Sequence, residues 1–136
     1  MIYDILEEKI AASGLLVPSE TLFRHYMPAE IPIGAFIRSP LEGIPVNLEM
    51  PNYYRGRLQL ITRHTDPELG EILAARLAPL ITVRSIEHYP ANATRGEAHV
   101  TQCIPETLPI RFPRLQGNGF EWSQHFSVAF GFKPLP

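Results

Sequence analysis

The segment FEWSQHFSVAFGF, residues 120–132, alternates large apolar side chains with polar or small ones over thirteen positions. Successive side chains of a β-strand point to opposite faces of its sheet, so this pattern predicts one long strand with an apolar face. That face carries Phe120, Trp122, Phe126, Val128, Phe130 and Phe132, interrupted only by Gln124. So much aromatic surface predicts the inner face of an antiparallel sheet covered by helices. At about 3.3 Å per residue the strand spans roughly 40 Å, so we expect it to bend, near Gly131, or to extend beyond its domain.

The sequence before this strand predicts the other arm of a hairpin. Residues 98–115, AHVTQCIPETLPIRFPRL, carry prolines at positions 105, 109 and 113. Backbone amides of a strand point alternately to its two sides, so prolines four residues apart remove donors from the same edge. We therefore expect this segment to lie at a border of the sheet or to leave it partway. A turn at QGNG, residues 116–119, then closes a C-terminal hairpin over residues 103–132.

Two amphipathic helices are predicted. Four apolar residues near the start of the chain recur at helical spacing: Ile2, Ile5, Leu6 and Ile10. Gly14 follows where a helix C-terminal cap belongs. The second helix is predicted to begin with Asp66 as its N-cap and Pro67 at its first position. Its apolar positions are Leu69, Ile72, Leu73, Leu77 and Leu80. Pro79 lacks an amide proton, so we expect the regular helix to end near residue 78 or to kink there.

Further strands are predicted at residues 21–28, 31–40 and 57–64, with a short one at residues 84–90. In RLQLITRH, residues 57–64, Leu58, Leu60 and Thr62 share an apolar face. The opposite face carries Arg57, Gln59, Ile61 and Arg63 and is predicted to be basic.

A long loop is predicted at residues 39–56, where three prolines and two glycines make the sequence too irregular for a helix or strand. Loops of this length inside a compact domain are uncommon and are usually functional or disordered. This one keeps more apolar residues than a solvated linker tolerates. They are Leu41, Ile44, Val46, Leu48, Met50, Tyr53 and Tyr54. We expect the loop to fold onto another surface.

Composition predicts a single domain over residues 1–136, because this length leaves little room for a second core. With 45% hydrophobic and 19% charged residues the chain is of the globular class, and fourteen prolines make helix scarce. A net charge of -2 gives no general attraction to nucleic acid or to anionic membranes. No apolar run approaches the roughly 20 residues that span a bilayer, which predicts a soluble protein with no membrane partner.

No catalytic, cofactor-binding or metal site is predicted. The five histidines stand far apart, at positions 25, 64, 88, 99 and 125, without the spacing that gathers metal ligands. Cys103, the only cysteine, could form a nucleophile pair with a distant histidine, and a small cysteine-dependent enzyme is the remote alternative. Arg55, Arg57 and Arg63 form the one basic cluster, for which a solvated face or a subunit contact is favoured over nucleic-acid binding.

Three segments in the same order resemble the tailed-bacteriophage minor capsid proteins of the tail terminator, or tail-completion, group. They are YDILEEKIAASGLLVPSETLFRHYMPAEIPIGAFIRSPLEGIPV (3–46), YYRGRLQLITRHTDPELGEILA (53–74) and ETLPIRFPRLQGNGFEWSQHF (106–126). The resemblance implies an α+β domain, an antiparallel sheet with two main helices packed against it. It also implies a virion protein of the tail or neck, without enzymatic activity or cofactor, that is assembled in the host cytoplasm.

A protein of this family is expected to form a homo-oligomeric ring of six at the end of the tail tube. Its partners would be the tail tube protein and the head-tail connector or stopper protein, and genomic DNA would pass through the bore without specific binding. A ring needs two different contact patches on each subunit, and the loop 39–56 and the hairpin 103–132 are the candidates.

Eight residues are predicted to contribute to such contacts. Six apolar residues would be buried against a neighbouring subunit or the tube: Leu41, Ile44, Leu48, Met50, Tyr53 and Tyr54. Arg57 and Arg63 would pair with acidic groups across a subunit boundary. A head-side connector or adaptor, or another minor capsid protein of the neck, is the main alternative, and a twelve-subunit ring would distinguish the connector. A generic ligand-binding domain would instead show a closed pocket and remain monomeric.

Overall fold

The computed structural model describes residues 2–39, 43–93, 95–114 and 119–133 of the chain. In chain order its elements are α1 (Ile2–Ala12), β1 (Leu22–Arg24), β2 (Gly34–Arg38), β3 (Tyr53–His64), α2 (Pro67–Ile81), β4 (Glu87–Tyr89), β5 (Ala98–Pro105), β6 (Ile110–Pro113) and β7 (Phe120–Phe132). The seven strands form one sheet in the order β1-β2-β3-β7-β5-β4, and β6 also pairs with β7. The α+β prediction is therefore confirmed.

The sheet is mixed, and the prediction of a purely antiparallel sheet is wrong. β1 runs parallel to β2, with Phe23 opposite Phe36, while every other described strand pair is antiparallel. The connection at residues 25–33 crosses the face of the sheet away from α1 and α2. Its Met27 packs there against Phe36 and Ile61, which makes a second, small apolar cluster. Met27 is the buried anchor of this connection, and the crossover lets β2 run parallel to β1.

β7 lies at the centre of the sheet. It pairs with β3 from Phe120 to Gly131 without a register shift, and its other side pairs first with β6 and then with β5. The strand therefore does not extend beyond its domain, because β3 accompanies it along almost its whole length. This pairing also corrects the predicted loop boundary. Residues 53–56 belong to β3, where Tyr53 faces Gly131 and Gly56 faces Val128, a distant partner that the local sequence does not reveal.

Both helices pack on one face of the sheet, α1 mainly over β1 and β2 and α2 over β3 and β7. α1 buries the four predicted apolar residues, and Gly14 has the positive φ of +79° expected of its cap position. From the sheet, Phe126, Val128 and Leu58 are almost completely buried in the same core. Neither helix within the described residues has the length and apolarity to span a membrane.

α2 begins as predicted, because the Asp66 carboxylate accepts hydrogen bonds from the amides of Glu68 (2.8 Å) and Leu69 (3.1 Å). Its predicted apolar face is partly wrong, since Leu69 and Ile72 are 54% and 55% exposed. Instead, Gly70 lies so close to Trp122 that a Cβ atom there would be 2.1 Å from the Trp122 Cη2 atom.

Two small residues, Gly70 and Ala74, therefore face the sheet in the first half of α2, and two large residues, Leu69 and Ile72, turn outward. The buried positions of the helix are Gly70, Ala74, Leu77 and Ile81. The helix also continues through Pro79 to Ile81, beyond the predicted end near residue 78. A proline this close to the C-terminus removes a single backbone hydrogen bond, and the Thr82 hydroxyl donates to the Ala78 carbonyl at 2.8 Å.

Candidate subunit interface

The long loop divides into a part that packs on its own chain and a part that does not. Ile44 and Tyr54 pack against the main core. The Tyr54 ring lies 5.4 Å from the ring of Phe130 and 5.5 Å from that of Phe132, measured between centroids. Tyr53 is half-buried, and its ring is stacked on His99 at 6.2 Å. These three predicted contact residues are thus already partly covered within the chain, and Leu41 lies outside the described residues.

The rest of the loop forms an apolar tip, residues 45–50, that projects into solvent. Val46 is 69% exposed and Leu48 is 91% exposed, while about half of Met50 is exposed. Asn47 holds the shape of this loop tip, because its side-chain oxygen accepts from the Glu49 amide (3.0 Å) and its carbonyl accepts from the Met50 amide (3.1 Å). The loop tip therefore presents apolar side chains in a turn that its own hydrogen bonds define.

The two arginines predicted at the interface both have acidic partners in the same chain. Arg63 is buried, its Nε and Nη2 atoms lie 3.0 Å from the Glu121 carboxylate, and its Nη1 donates to the backbone carbonyls of residues 28 and 31. Arg57 is half exposed and forms an ion pair with Glu106 at 2.6 Å. The hydrogen bond from Arg57 holds the pKa of the Glu106 carboxyl below its usual value.

The face of β3 that was predicted to be basic is therefore not one basic surface. Ile61 and Arg63 are covered by residues 25–33 and lie in the interior, so the three arginines at positions 55, 57 and 63 do not form one continuous basic surface.

A second exposed apolar surface lies on the proline-bearing arm of the hairpin, and we call residues 105–113 the proline edge. The amide of Glu106 donates to the His125 carbonyl at 2.9 Å, so the neighbouring Pro105 nitrogen points away from β7. The chain then leaves the sheet until β6, which confirms the predicted departure. Leu108 is 85% exposed in this interval, and Ile110 and Phe112 are exposed on β6.

An open groove of about 590 Å³ separates the proline edge from the C-terminal half of α2. Its lining is largely apolar and includes Ala75, Ala78, Pro79, Leu108 and Pro109. Among the described residues Arg84 is the only charged one that lines it, and Gln124 of β7 also contributes to the lining. The sequence pattern did not predict this groove, because it forms only where α2 and the proline edge come together.

The loop tip and the proline edge lie toward opposite ends of β7. Tyr53, directly after the loop, pairs with Gly131, whereas Ile110 of the proline edge pairs with Ser123. These two positions on β7 are eight residues apart, which corresponds to about 26 Å along a strand. One chain therefore carries two different apolar surfaces that are well separated.

Cys103 lies in an environment that suits a structural residue rather than a nucleophile. Its side chain is completely buried, and burial raises the pKa of the thiol to about 12. The nucleophile of a cysteine enzyme is a thiolate near neutral pH, whereas this group stays protonated there. Among the described residues, no three histidine, cysteine, aspartate or glutamate side chains come together as a metal site.

A polar network that the sequence analysis missed joins α1 to β4. Lys9 donates to the Glu87 carboxylate at 2.7 Å, and the Tyr89 hydroxyl also donates to it. Burial tends to raise the pKa of Glu87, but the two hydrogen bonds outweigh burial and lower it. Arg95 approaches the Asp4 carboxylate of α1 at 3.8 Å, so these ionic contacts hold α1 against the sheet border.

No protein-family model matches this chain, and neither does any curated protein sequence.

Proposed function

We propose that this chain is a tail terminator, a structural protein of a tailed-phage virion that assembles as a ring of six at the head-proximal end of the tail tube. The ring ends polymerisation of the tube and joins the tail to the head connector or stopper protein. The resemblance of residues 3–46, 53–74 and 106–126 to the tail-completion proteins supports this role. The observation that carries the proposal is the pair of exposed apolar surfaces, the loop tip and the proline edge, toward opposite ends of β7.

Two different surfaces on one chain favour a head-to-tail contact over a two-fold dimer. In a heterologous interface one patch of each subunit meets another patch of the next, and the assembly closes into a ring when the rotation fits. An isolated copy leaves Leu48 and Leu108 in water, and clusters of such residues on a soluble protein mark contact sites. Closure of the ring covers both surfaces in every subunit.

The proline edge suits a protein that stops a polymer. An unpaired strand edge is a template on which another strand can add, and proline blunts it by removing amide donors. Pro105 turns its nitrogen to the outer side of β5, and Pro113 ends β6. Contacts at this border must therefore use side chains, which limits uncontrolled strand addition.

The charge distribution is compatible with a bore through which genomic DNA slides. The net charge of -2 provides no general attraction to phosphates. Arg57 is paired with Glu106, and Arg63 is buried with Glu121, so these two arginines are engaged within the chain. This arrangement supports passage of DNA without specific binding.

The test is a reconstitution of purified protein with purified tail tubes, viewed by electron microscopy. We expect a ring at one end of each tube and no further elongation when tube subunits are added. Protein that leaves the tube ends bare and elongation unchanged contradicts the proposal. A ring of twelve subunits that binds head particles and ignores the tubes identifies a head-side connector instead.

A further inference from the structure

The groove beside the proline edge has one uncompensated charge at its rim. Arg84 is exposed and forms no ion pair with any other described residue, and the other described residues of the lining are neutral. A cation at the rim of an apolar groove favours an occupant with an apolar side chain next to a carboxylate.

The loop tip has this combination. Glu49 is the only charged residue among residues 43–52, and it directly follows the exposed Leu48. Its carboxylate has no ion-pair partner in the described parts of the chain. The Asn47 hydrogen bonds fix the turn, so docking would not require the tip to be ordered first.

A chain does not fill its own groove with its own loop tip. Gln124 at the groove and Gly131 beside the loop are seven residues apart on β7, which is about 23 Å along the strand. From Ile44 onward the loop lies toward the Gly131 end of the sheet, because Ile44 packs beside Gly56 and the Asn52 carbonyl accepts from the Phe132 amide. The matching loop tip must therefore come from another copy.

We propose that the loop tip of one copy docks in the groove of the next copy, with Leu48 against Ala78 and Leu108 and with Glu49 paired to Arg84. This contact rests on the proposed ring and names the two surfaces that build it. Leu48 supplies most of the affinity, because burial of an exposed leucine outweighs a solvent-accessible ion pair. The Glu49–Arg84 pair fixes register, since charge complementarity chiefly sets specificity.

A charge-swap series tests the pairing by sedimentation of the full-length chain. Glu49→Arg and Arg84→Glu each bring like charges together at the rim, and we expect each to weaken self-association by at least about tenfold. The double variant restores association to near the wild-type value. Glu20→Arg, an exposed change on the β1 side of the sheet, is the matched control and leaves association unchanged. A double variant that associates as weakly as the singles overturns the pairing.

Disulfide cross-linking tests the geometry directly. A chain with both Leu48→Cys and Ala75→Cys is expected to give a ladder of oligomers under oxidation, and a mixture of the two single variants only dimers. Each single variant alone stays monomeric on a denaturing gel, because Cys103 is buried. Dimers from Leu48→Cys alone, or no cross-link in the double variant, overturn the proposal.

The outcomes separate this contact from the terminator role. Assemblies that bind tail tubes but ignore the charge swap leave the terminator role intact and remove the contact. Assemblies that respond to the swap but never bind tubes leave the contact intact and remove the terminator role.

Discussion

Leu48→Ala and Tyr54→Ala, two changes within one apolar segment, are expected to act on different equilibria: self-association and folding. Leu48 is 91% exposed in the single chain, so its truncation changes the free energy of unfolding by no more than about 0.5 kcal/mol. In the proposed contact the same side chain becomes buried, which is worth about 1.5–3 kcal/mol. Leu48→Ala therefore weakens self-association by about 10- to 150-fold while the monomer remains stable.

Tyr54→Ala is expected to destabilise the fold itself. Truncation of a fully buried aromatic side chain costs about 3–5 kcal/mol, and for the half-buried Tyr54, packed on Phe130 and Phe132, we expect about 2 kcal/mol. Urea unfolding of dilute, monomeric protein measures stability, and sedimentation at higher concentration measures association. Val17→Ala, at another exposed apolar position, should change neither. The reasoning is refuted if Leu48→Ala lowers stability as much as Tyr54→Ala or leaves association unaltered.

Two substitutions and one labelling experiment probe the fold further. In an exposed helix Gly70→Ala would raise the free energy of unfolding by about 1 kcal/mol. Here the new Cβ would lie 2.1 Å from Trp122, so we expect urea unfolding to show a free energy of unfolding lower by about 1–2 kcal/mol. A higher free energy of unfolding contradicts the docking of α2 on Trp122. The Cys103 thiol should resist alkylation in the native protein and react fully in urea, and mass spectrometry measures the extent of labelling. Rapid alkylation of this thiol in the native protein contradicts its burial. The Arg57 hydrogen bond depresses the pKa of Glu106 below 4.5, so its stabilisation is present above pH 4.5 and disappears as the pH falls through the lower folded value. Glu106→Gln should remove this part of the acid sensitivity, and an unchanged pH profile of unfolding counts against the ion pair.

Elements that depend on local pattern were predictable from the sequence. The alternation in residues 120–132 predicts β7, and the apolar spacing before Gly14 predicts α1. The prolines of residues 105–113 predict a segment that leaves the sheet, and it does so. In each case the signal is local, either the periodicity of apolar side chains or the missing amide donor of proline.

Features that depend on distant partners were not predictable. The strand character of residues 53–56 comes from pairing with β7, and the parallel β1 depends on a connection that packs across the sheet. The outward turn of Ile72 follows from the fit between Gly70 and Trp122, which no periodicity encodes.

The apolar loop residues illustrate the same limit for the candidate interface. Composition identified Ile44 and Leu48 alike, but only the fold separates the side chain that packs on its own core from the one that projects into solvent. Arg84 received no functional interpretation from sequence, because its role depends on the groove that α2 and the proline edge form together.

The mass of the native assembly tests most directly the claim that copies of this chain cover one another in a closed circle. Native mass spectrometry of the purified protein should show six times 15.3 kDa, about 92 kDa, with no larger species as the concentration rises. A single species of 15.3 kDa at every concentration, together with absence of the protein from purified virions, contradicts the account.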